Sequence, residues 1–459
     1  MKYFIGALAL IIFAGGLFLF WKGPSVVLVS APTTSPSTPI LEVPEAGGNQ
    51  QNPLEKNGSL DIEPQKPLPN PPRGIKAVYL TSWSAGSRKK VDYIIDLIRG
   101  TELNAVVIDI KDYSGYVAYD TKVSEVEKYN AKEIRIPRLN ALIKRLHDEG
   151  IYVIGRITIF QDPILALARP DLAIHSRAKL TTNNQQLTTE TLWLDHKKLA
   201  WIDPAAKEAW DYNLAIAKDA AERGFDEINF DYIRFASDGN LSDMKFPFWQ
   251  STQTDTDGTR THAETKSETI NNFFKYVRES LPGVKISADL FGLATVQSDD
   301  LGIGQLIEGA YAYFDYVSPM VYPSHYAPGF LNYKNPAAHP YEVVKYSMES
   351  ALKRLTDYGL QATATSTDLT PTEMETLKAK NYKLKAKLRP WLQDFNLGAT
   401  YDAKMVKAQI QAVYDAARLP EPEVQAAGGQ ASSTPELLDG FMLWSPSNVY
   451  TKGALLNNE

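Results

Sequence analysis

The chain has 459 residues, 44% of them hydrophobic, which is long enough for one large domain or two ordinary ones. Lysine and arginine number 48 against 54 acidic residues, for a net charge of −6. No basic block is present, which argues against nucleic acid as a partner. The absence of cysteine excludes disulfides and thiolate metal sites.

The N-terminus carries an uncharged apolar run, Tyr3 to Trp21, that is closed by Lys22. As a helix this run would be about 28 Å long, roughly the thickness of a bilayer core. Residues 1–22 are therefore predicted to be an uncleaved signal anchor, with the C-terminal domain outside the cytoplasm at the cell membrane. Cleavage near Val29 to Ala31 is the alternative, and it would make the protein secreted.

Residues 23–72 are rich in proline, serine, asparagine and glycine and lack a sustained apolar period. Such a segment cannot bury enough surface to order itself. It is predicted to be a disordered linker that holds the following domain, residues 73–455, away from the membrane.

From Arg73 onward, short β-rich runs alternate with longer helical ones, which is the pattern of βα units around a parallel sheet. Eight runs are predicted to be strands: IKAVYLTSW, NAVVIDIKD, YVIGRITIF, DEINFD, VKISADLFG, FDYVSPMVYP, KLRPWLQDF and GFMLWSP. One of the intervening helices is predicted to begin with Asp203 as N-cap and Pro204 at its first position. Eight units predict a (β/α)₈ barrel with loop insertions, and an open doubly wound sheet is the alternative fold.

Side chains alternate between the two faces of a strand, so position parity separates helix-facing residues from barrel-facing ones. In most of the predicted strands the helix-facing set is apolar, whereas the barrel-facing set is unusually polar. That inward set comprises Asp109, Lys111, Arg156, Asn229, Asp231, Asp289 and Gln393. These residues lie near the C-terminal ends of their strands, where barrel enzymes place their chemistry. For Asp109, Lys111 and Arg156 the alternative is an interior ion-pair network without a catalytic role.

Two acids on adjacent strands repel each other, so their presence together favours a functional role. Because neighbouring strands lie about 4.8 Å apart, Asp231 and Asp289 could approach the separation found in retaining glycosidases. We assign Asp231 as the nucleophile, kept ionised by Arg234 or Lys111, and Asp289 as the proton donor. Asp394 is the alternative proton donor, or a group that stabilises the transition state.

Aromatic residues at or beyond the strand ends strengthen the carbohydrate interpretation, because their flat faces stack on sugar rings. The predicted substrate-binding residues are Trp83, Asp109, Lys111, Arg156, Asn229, Arg234, Tyr322, His325, Gln393 and Trp444. Several of the aromatic residues at the strand ends could instead be core residues, and for Trp391, which lies inside a predicted strand, core packing is favoured over stacking.

Other reaction classes lack their motifs. The six histidines are scattered, with no H-x-H or HExxH spacing, so no metal site and no cofactor is predicted. The chain also has no G-x-G-x-x-G, no P-loop and no G-x-S-x-G.

The stretch FDEINFD resembles the D-x-x-D-x-D-x-E signature of chitinase-type barrels, with Asp226, Asn229 and Asp231 at its first three acidic positions. The position of the catalytic Glu holds Ile233, so chitinase chemistry is not expected. SPMVYP and GFMLWSP resemble the sixth and eighth strands of the same broad group.

A closer resemblance is to a bacterial family of glycosyl hydrolase domains that often follow an N-terminal membrane segment. It is carried by GIKAVYLTSW, VVIDIKDYSG, SPMVYPSHYAPG, RPWLQDF and the block from WIDPAAKEAW to NFDYIRFASDG. The resemblance implies a barrel related to amylase-like glycosidases, in which the acid that ends the fourth strand, here Asp231, is the nucleophile. The amylase pattern has an Arg and a Glu where this chain has Asn229 and Asp289.

The sequence therefore predicts a glycoside hydrolase that acts on an extracellular or cell-envelope polysaccharide, with a membrane as its second partner. A carbohydrate-binding barrel without catalysis is the alternative from another functional class. A barrel kept for protein contacts is a third possibility, which the inward charges disfavour.

Overall fold

The computed structural model describes residues 61–250, 253–254, 260–261, 264–364, 386–417 and 437–458. The predicted signal anchor and residues 23–60 of the predicted linker lie outside these ranges. In the part of the chain that is described, no helix is long and apolar enough to cross a bilayer.

A closed barrel of eight parallel strands forms the centre of the described chain. The strands are β1 Ile75–Leu80, β2 Ala105–Lys111, β3 Tyr152–Thr158, β4 Glu227–Asp231, β5 Ile286–Phe291, β6 Tyr316–Met320, β7 in two pieces, Lys387–Leu388 and Trp391–Gln393, and β8 Gly440–Trp444. Each strand pairs with the next, and β8 pairs with β1. This closure confirms the predicted barrel and excludes the open sheet.

Helices connect successive strands and surround the barrel. They are α1 Arg88–Arg99, α2 Leu139–Asp148, α3 Lys207–Glu222, α4 Lys266–Ser280, α5 Ile307–Tyr313, α6 Pro340–Ala364 and α7 Ala403–Ala417. Shorter helices, among them Ser82–Ala85, Ser124–Lys128, Pro163–Ala168 and Arg177–Thr182, lie in the connections.

The start of α3 differs from its prediction, because the helix begins at Lys207 and Asp203 is not its N-cap. The carboxylate of Asp203 accepts hydrogen bonds from the backbone N–H groups of Ala205, Phe248 and Trp249, at 3.0, 2.7 and 3.0 Å. Asp203 therefore fixes the long connection after β4 against the loop that precedes α3.

The two faces of the strands form two separate apolar clusters, as parity predicts. The helix-facing cluster includes Val106, Ile108, Val153, Ile228, Phe230, Ile286 and Leu290. The barrel-facing cluster consists of Ile75, Ala77, Tyr79, Ala105, Val107, Tyr152, Ile154, Tyr322, Trp391 and Met442. Apolar side chains therefore fill the middle of the barrel, and the polar inward residues lie above and below them.

Lys111 is the exception to parity and was placed wrongly. The pairing of β2 with β3 shifts by one residue after Asp109, so that Lys111 pairs with Ile157, a helix-facing residue. Its Nζ forms a fully buried ion pair with Asp162 at 2.7 Å and lies over the ring of Tyr212 on α3. Lys111 therefore lies between β2 and the surrounding helices and is not beside Asp231.

Residues 61–72, which composition placed in the linker, contact the start of α2 and the residue that precedes β4. Asp61 accepts hydrogen bonds from the N–H groups of Asn140 and Ala141 at the start of α2, at 2.7 and 3.1 Å. The Leu68 N–H donates to the Asp226 carboxylate at 2.6 Å. The ordered domain therefore begins by Asp61, before Arg73.

Two loops on the C-terminal side of the barrel pair with each other. His175–Ser176, after β3, forms an antiparallel ladder with Met244–Lys245, after β4. The Trp193 indole N–H also donates to the Asn240 carbonyl at 2.9 Å. These contacts build a wall beside the ends of β3 and β4.

Closure of the barrel requires a glycine at the start of β8. Gly440 has φ +85°, and a Cβ there would lie 2.0 Å from the Ile75 carbonyl oxygen. A Cβ added at Gly150, which has φ +71°, would have no other atom within 4 Å.

We expect Gly150→Ala to lower the free energy of unfolding by about 1–2 kcal/mol from backbone strain alone. Gly440→Ala should cost at least about 2 kcal/mol more, because β1 and β8 must separate. Urea unfolding of both variants measures the difference, and equal losses would contradict this account of closure.

Candidate active site

A single guanidinium lies at the centre of the polar cluster at the C-terminal end of the barrel. Arg156, on β3, donates to Asp109 at 2.5 Å and to Asp231, and its Nε lies 3.7 Å from an oxygen of Asp289. All four side chains are at least nine-tenths buried. One cation is thus shared by three carboxyl groups from three different strands.

Asp231, the last residue of β4, is held at both oxygens. Oδ2 accepts from Arg156, and Oδ1 accepts from the Tyr232 N–H at 2.6 Å. Tyr232 has φ +53°, a left-handed conformation that is uncommon for a large side chain. The chain therefore turns sharply after Asp231, and this turn keeps the carboxylate at the mouth of the barrel.

Asp289, on the adjacent strand β5, is more enclosed than Asp231. Its Oδ1 accepts from the Asn229 amide at 2.9 Å and from the Trp391 indole N–H at 2.8 Å. Burial and then the charge of Asp231 raise the pKa of Asp289 well above its ordinary value, against the opposing effect of Arg156. The site therefore favours the protonated form of Asp289.

Asp109 forms the opposite side of the cluster. It accepts a hydrogen bond from the Tyr79 hydroxyl and forms an ion pair with Arg156. Burial raises its pKa, although Arg156 and Tyr79 oppose that shift. Tyr79 and Asp109 thus hold one side of the guanidinium in place.

Aromatic rings line this end of the barrel. Trp444 stacks on Tyr79 with ring centroids 3.8 Å apart, and it meets Trp391 edge to face at 5.6 Å. The Arg156 guanidinium lies 5.3 Å from the Trp444 ring centroid. Tyr322 is buried near the cluster, where burial and the charges of Asp289 and Asp231 raise its pKa.

Arg234 lies three residues beyond Asp231 and contacts aromatic rings. Its guanidinium lies 4.8 Å from the ring centroid of Trp201, 5.3 Å from that of Tyr232 and 4.6 Å from that of Phe291. It forms no ion pair with Asp231, the partner that the sequence suggested for it.

Asp394 and Gln393 have partners outside the cluster. The Asp394 carboxylate accepts from the N–H and hydroxyl of Thr451, at 2.9 and 2.6 Å. The Gln393 side chain donates to the Phe395 carbonyl at 2.9 Å and accepts from the Ser324 N–H at 3.2 Å. Both residues tie loops together at the barrel rim.

Two predicted substrate-binding residues lie further out. Trp83 is 61% exposed, and the Arg135 guanidinium lies 5.0 Å from its ring centroid. His325 is exposed in the loop after β6 and meets the ring of Tyr322 at 5.2 Å. The structure therefore unites Asp109, Arg156, Asn229, Asp231, Asp289 and Trp444 and leaves Trp83 at the periphery.

Three cluster residues were missed or undervalued in the sequence. Tyr79 has the barrel-facing parity in β1, and its hydroxyl binds Asp109. Ser287 accepts from the Asn229 amide at 2.9 Å and also has inward parity in β5. Trp391, expected to be core, is fully buried but donates to Asp289. Inward parity was the signal that identifies all three.

A second buried ion-pair network closes the opposite end of the barrel. Arg389, fully buried, binds Glu227 at 3.0 Å and Asp439 at 2.9 Å, and stacks on Tyr316 at 3.8 Å. A cavity of about 320 Å³ lies at this end, lined partly by Leu68 and prolines of the N-terminal segment.

Among the described residues, no group of three or more histidines and acids is arranged to hold a metal ion.

The raised pKa of Asp289 predicts how the free energy of unfolding depends on pH. Its folded pKa lies above the unfolded value of about 3.9, so folding takes up a proton between the two values and stability falls as pH rises through that window. Asp289→Asn removes this proton uptake. We expect its free energy of unfolding to fall less steeply than that of the wild type from about pH 4 upward, by at most about 1.4 kcal/mol per pH unit. Urea unfolding across pH 4–8 measures both slopes, and parallel slopes would show that Asp289 is ionised.

Comparison with known proteins places the barrel in a family. The family model described as "Putative glycosyl hydrolase domain" matches residues 77–364 and 358–419. A hypothetical protein from Ruminiclostridium thermocellum ATCC 27405 is 38% identical, over 49% of this chain and 98% of that chain, with a TM-score of 0.38. The PgaB (BpsB) glycoside hydrolase domain from Bordetella bronchiseptica is 10% identical, over 84% of this chain and 100% of that chain, with a TM-score of 0.50. This likeness is one of fold. No curated protein matches the chain.

Proposed function

Since the chain belongs to this family of glycosyl hydrolase domains, we propose that it is a glycoside hydrolase with a two-carboxylate, retaining mechanism. Asp231 is the nucleophile and Asp289 the proton donor. The substrate is an extracellular or cell-envelope polysaccharide.

The observation that carries this proposal is the pair of carboxyl groups on one guanidinium. Asp231 ends β4 and Asp289 lies within the adjacent strand β5, each directly after one of the paired residues Phe230 and Ala288. The first contacts Arg156 directly, whereas the pKa of the second is raised by burial and by the first. A retaining glycosidase requires one ionised and one protonated carboxyl group in the same site.

The reaction follows from these states. Ionised Asp231 attacks the anomeric carbon while Asp289 gives its proton to the leaving glycosidic oxygen. Asp289, now ionised, then accepts a proton from the water that cleaves the glycosyl ester. Arg156 stabilises the negative charge that passes between the two carboxyl groups in the cycle. Trp444, which is only partly buried and is supported from behind by Tyr79, supplies a flat face for a sugar ring.

The contacts favour Asp289 over Asp394 as the proton donor. Asp394 is engaged by Thr451 and lacks a contact with Arg156, whereas Asp289 has one. Asn229 and Trp391 fix the orientation of the Asp289 carboxyl.

The proposed location rests on the sequence of residues 1–22 alone. A signal anchor there would place the barrel outside the cytoplasm, tethered to the membrane, where it meets polysaccharide. Protease treatment of intact cells tests this, because an outward barrel is digested and a cytoplasmic one is protected.

Reducing-end release from bacterial exopolysaccharides, peptidoglycan and α- and β-glucans tests the function. We expect the full chain to cleave one substrate class, Asp231→Asn to release nothing above background, and Asp289→Asn to be about 10²- to 10⁴-fold slower. Asp394→Asn should retain most of the activity. Asp148→Asn, which removes an exposed carboxylate of α2, is the matched control and should be unchanged.

Two outcomes would contradict the proposal. Cleavage that survives Asp231→Asn excludes that residue as the nucleophile. If the wild type binds a glycan but releases nothing from any of the substrates, the barrel is a carbohydrate-binding module, the alternative that the sequence left open.

A further inference from the structure

Arg234 is a buried cation held between aromatic rings. The residue is 8% exposed, and its guanidinium lies within 5.3 Å of the ring centroids of Trp201, Tyr232 and Phe291. These rings come from the loop before α3 and from the ends of β4 and β5. Arg234 therefore lies on the rim beside Asp231, fixed by stacking on ring faces.

One nitrogen of this guanidinium, Nη1, is engaged by hydrogen bonds to described residues. Nη1 donates to the Phe235 carbonyl and the Ser237 hydroxyl, both at 3.0 Å. Among the described residues, Nε and Nη2 have no acceptor, and no carboxylate lies within 4.0 Å of the guanidinium. A buried charge is costly without a partner, and burial accordingly lowers the pKa of Arg234.

Three acids, Asp231, Asp195 and Asp238, act on Arg234 through their charges but form no ion pair with it. Asp231 is engaged by Arg156 and Tyr232, as described above. Asp195 accepts from the N–H groups of Lys197 and Leu199 and from the side chains of Gln161 and Trp201, all between 2.8 and 3.0 Å. The third, Asp238, is half-buried, and its pKa is raised by burial and by Asp195.

We propose that the Nε and Nη2 edge of Arg234 binds a carboxylate of the substrate, so that the glycan carries a uronic acid or a similar acidic sugar beside the cleaved bond. The planar guanidinium fork matches a carboxylate with two parallel hydrogen bonds. The rings of Trp201 and Phe291 fix the fork before the ligand arrives, which reduces the entropy lost on binding. The inference rests on the proposed function and specifies its substrate class.

Binding to matched acidic and neutral glycans tests the inference without relying on a variant of Arg234. The probes are oligogalacturonate, oligoglucuronate and oligomannuronate, each compared with its carboxyl-reduced, neutral form. Calorimetry uses the full chain carrying Asp289→Asn, in which turnover is expected to be about 10²- to 10⁴-fold slower and so to interfere little with the measurement. We expect at least one acidic glycan to bind about 10-fold or more tightly than its neutral form.

Variants then locate the effect at Arg234. Arg234→Gln should reduce the preference for the acidic glycan to about one, while Arg234→Lys keeps the charge but loses the fork and should retain part of it. Arg88→Gln removes a cation from an exposed position on α1 and is the matched control for net charge. It should leave the preference unchanged.

Two results overturn the inference: equal binding of acidic and neutral forms by the wild type, or an acidic preference that persists in Arg234→Gln. If Arg234→Gln lowers kcat but leaves charge selectivity intact, Arg234 is a distant counter-charge for Asp231. Failure of the proposed function is separate, because charge-selective binding without any turnover keeps the carboxylate site and removes only the glycosidase.

Discussion

The site depends on one cation shared by three buried acids. Arg156 contacts Asp109, Asp231 and Asp289, and three ionised carboxylates around one guanidinium would leave uncompensated negative charge in a buried site. This excess, together with burial, raises the pKa of Asp289 and so favours its protonated form. The acid and the nucleophile of the proposed reaction therefore arise from the same electrostatic constraint.

The barrel supplies the geometry that this constraint needs. Three strands bring one inward acid each to Arg156, and apolar side chains fill the barrel beneath them. At the opposite end, Arg389 is paired with Glu227 and Asp439, so its charge is compensated. The two ends contrast. In the lower network two cations, Arg389 and Lys387, face the two acids. The upper network carries excess acid and, at Arg234, a cation edge with no acceptor among the described residues.

Parity along the strands was sufficient to predict the barrel and most of the cluster, because alternation on a closed sheet is a geometric rule. It failed at Lys111, where a register shift in β2 reverses the facing of a single residue and no local signal marks it. Composition likewise placed Asp61 and Leu68 in a linker, because their partners on α2 and at Asp226 are distant in sequence. Asp203 was misassigned for the same reason, since its partners belong to another loop. The unpaired edge of Arg234 depends on the three-dimensional positions of Trp201 and Phe291, which no strand pattern gives.

Infrared difference spectroscopy of the carboxyl groups tests the central claim most directly. At neutral pH, the spectrum of the wild type minus that of Asp289→Asn should contain the carbonyl band of a protonated carboxylic acid. The corresponding difference for Asp231→Asn should contain carboxylate bands from Asp231. If the Asp289 difference instead contains only carboxylate bands, both acids are ionised around Arg156, and the assignment of nucleophile and proton donor is wrong.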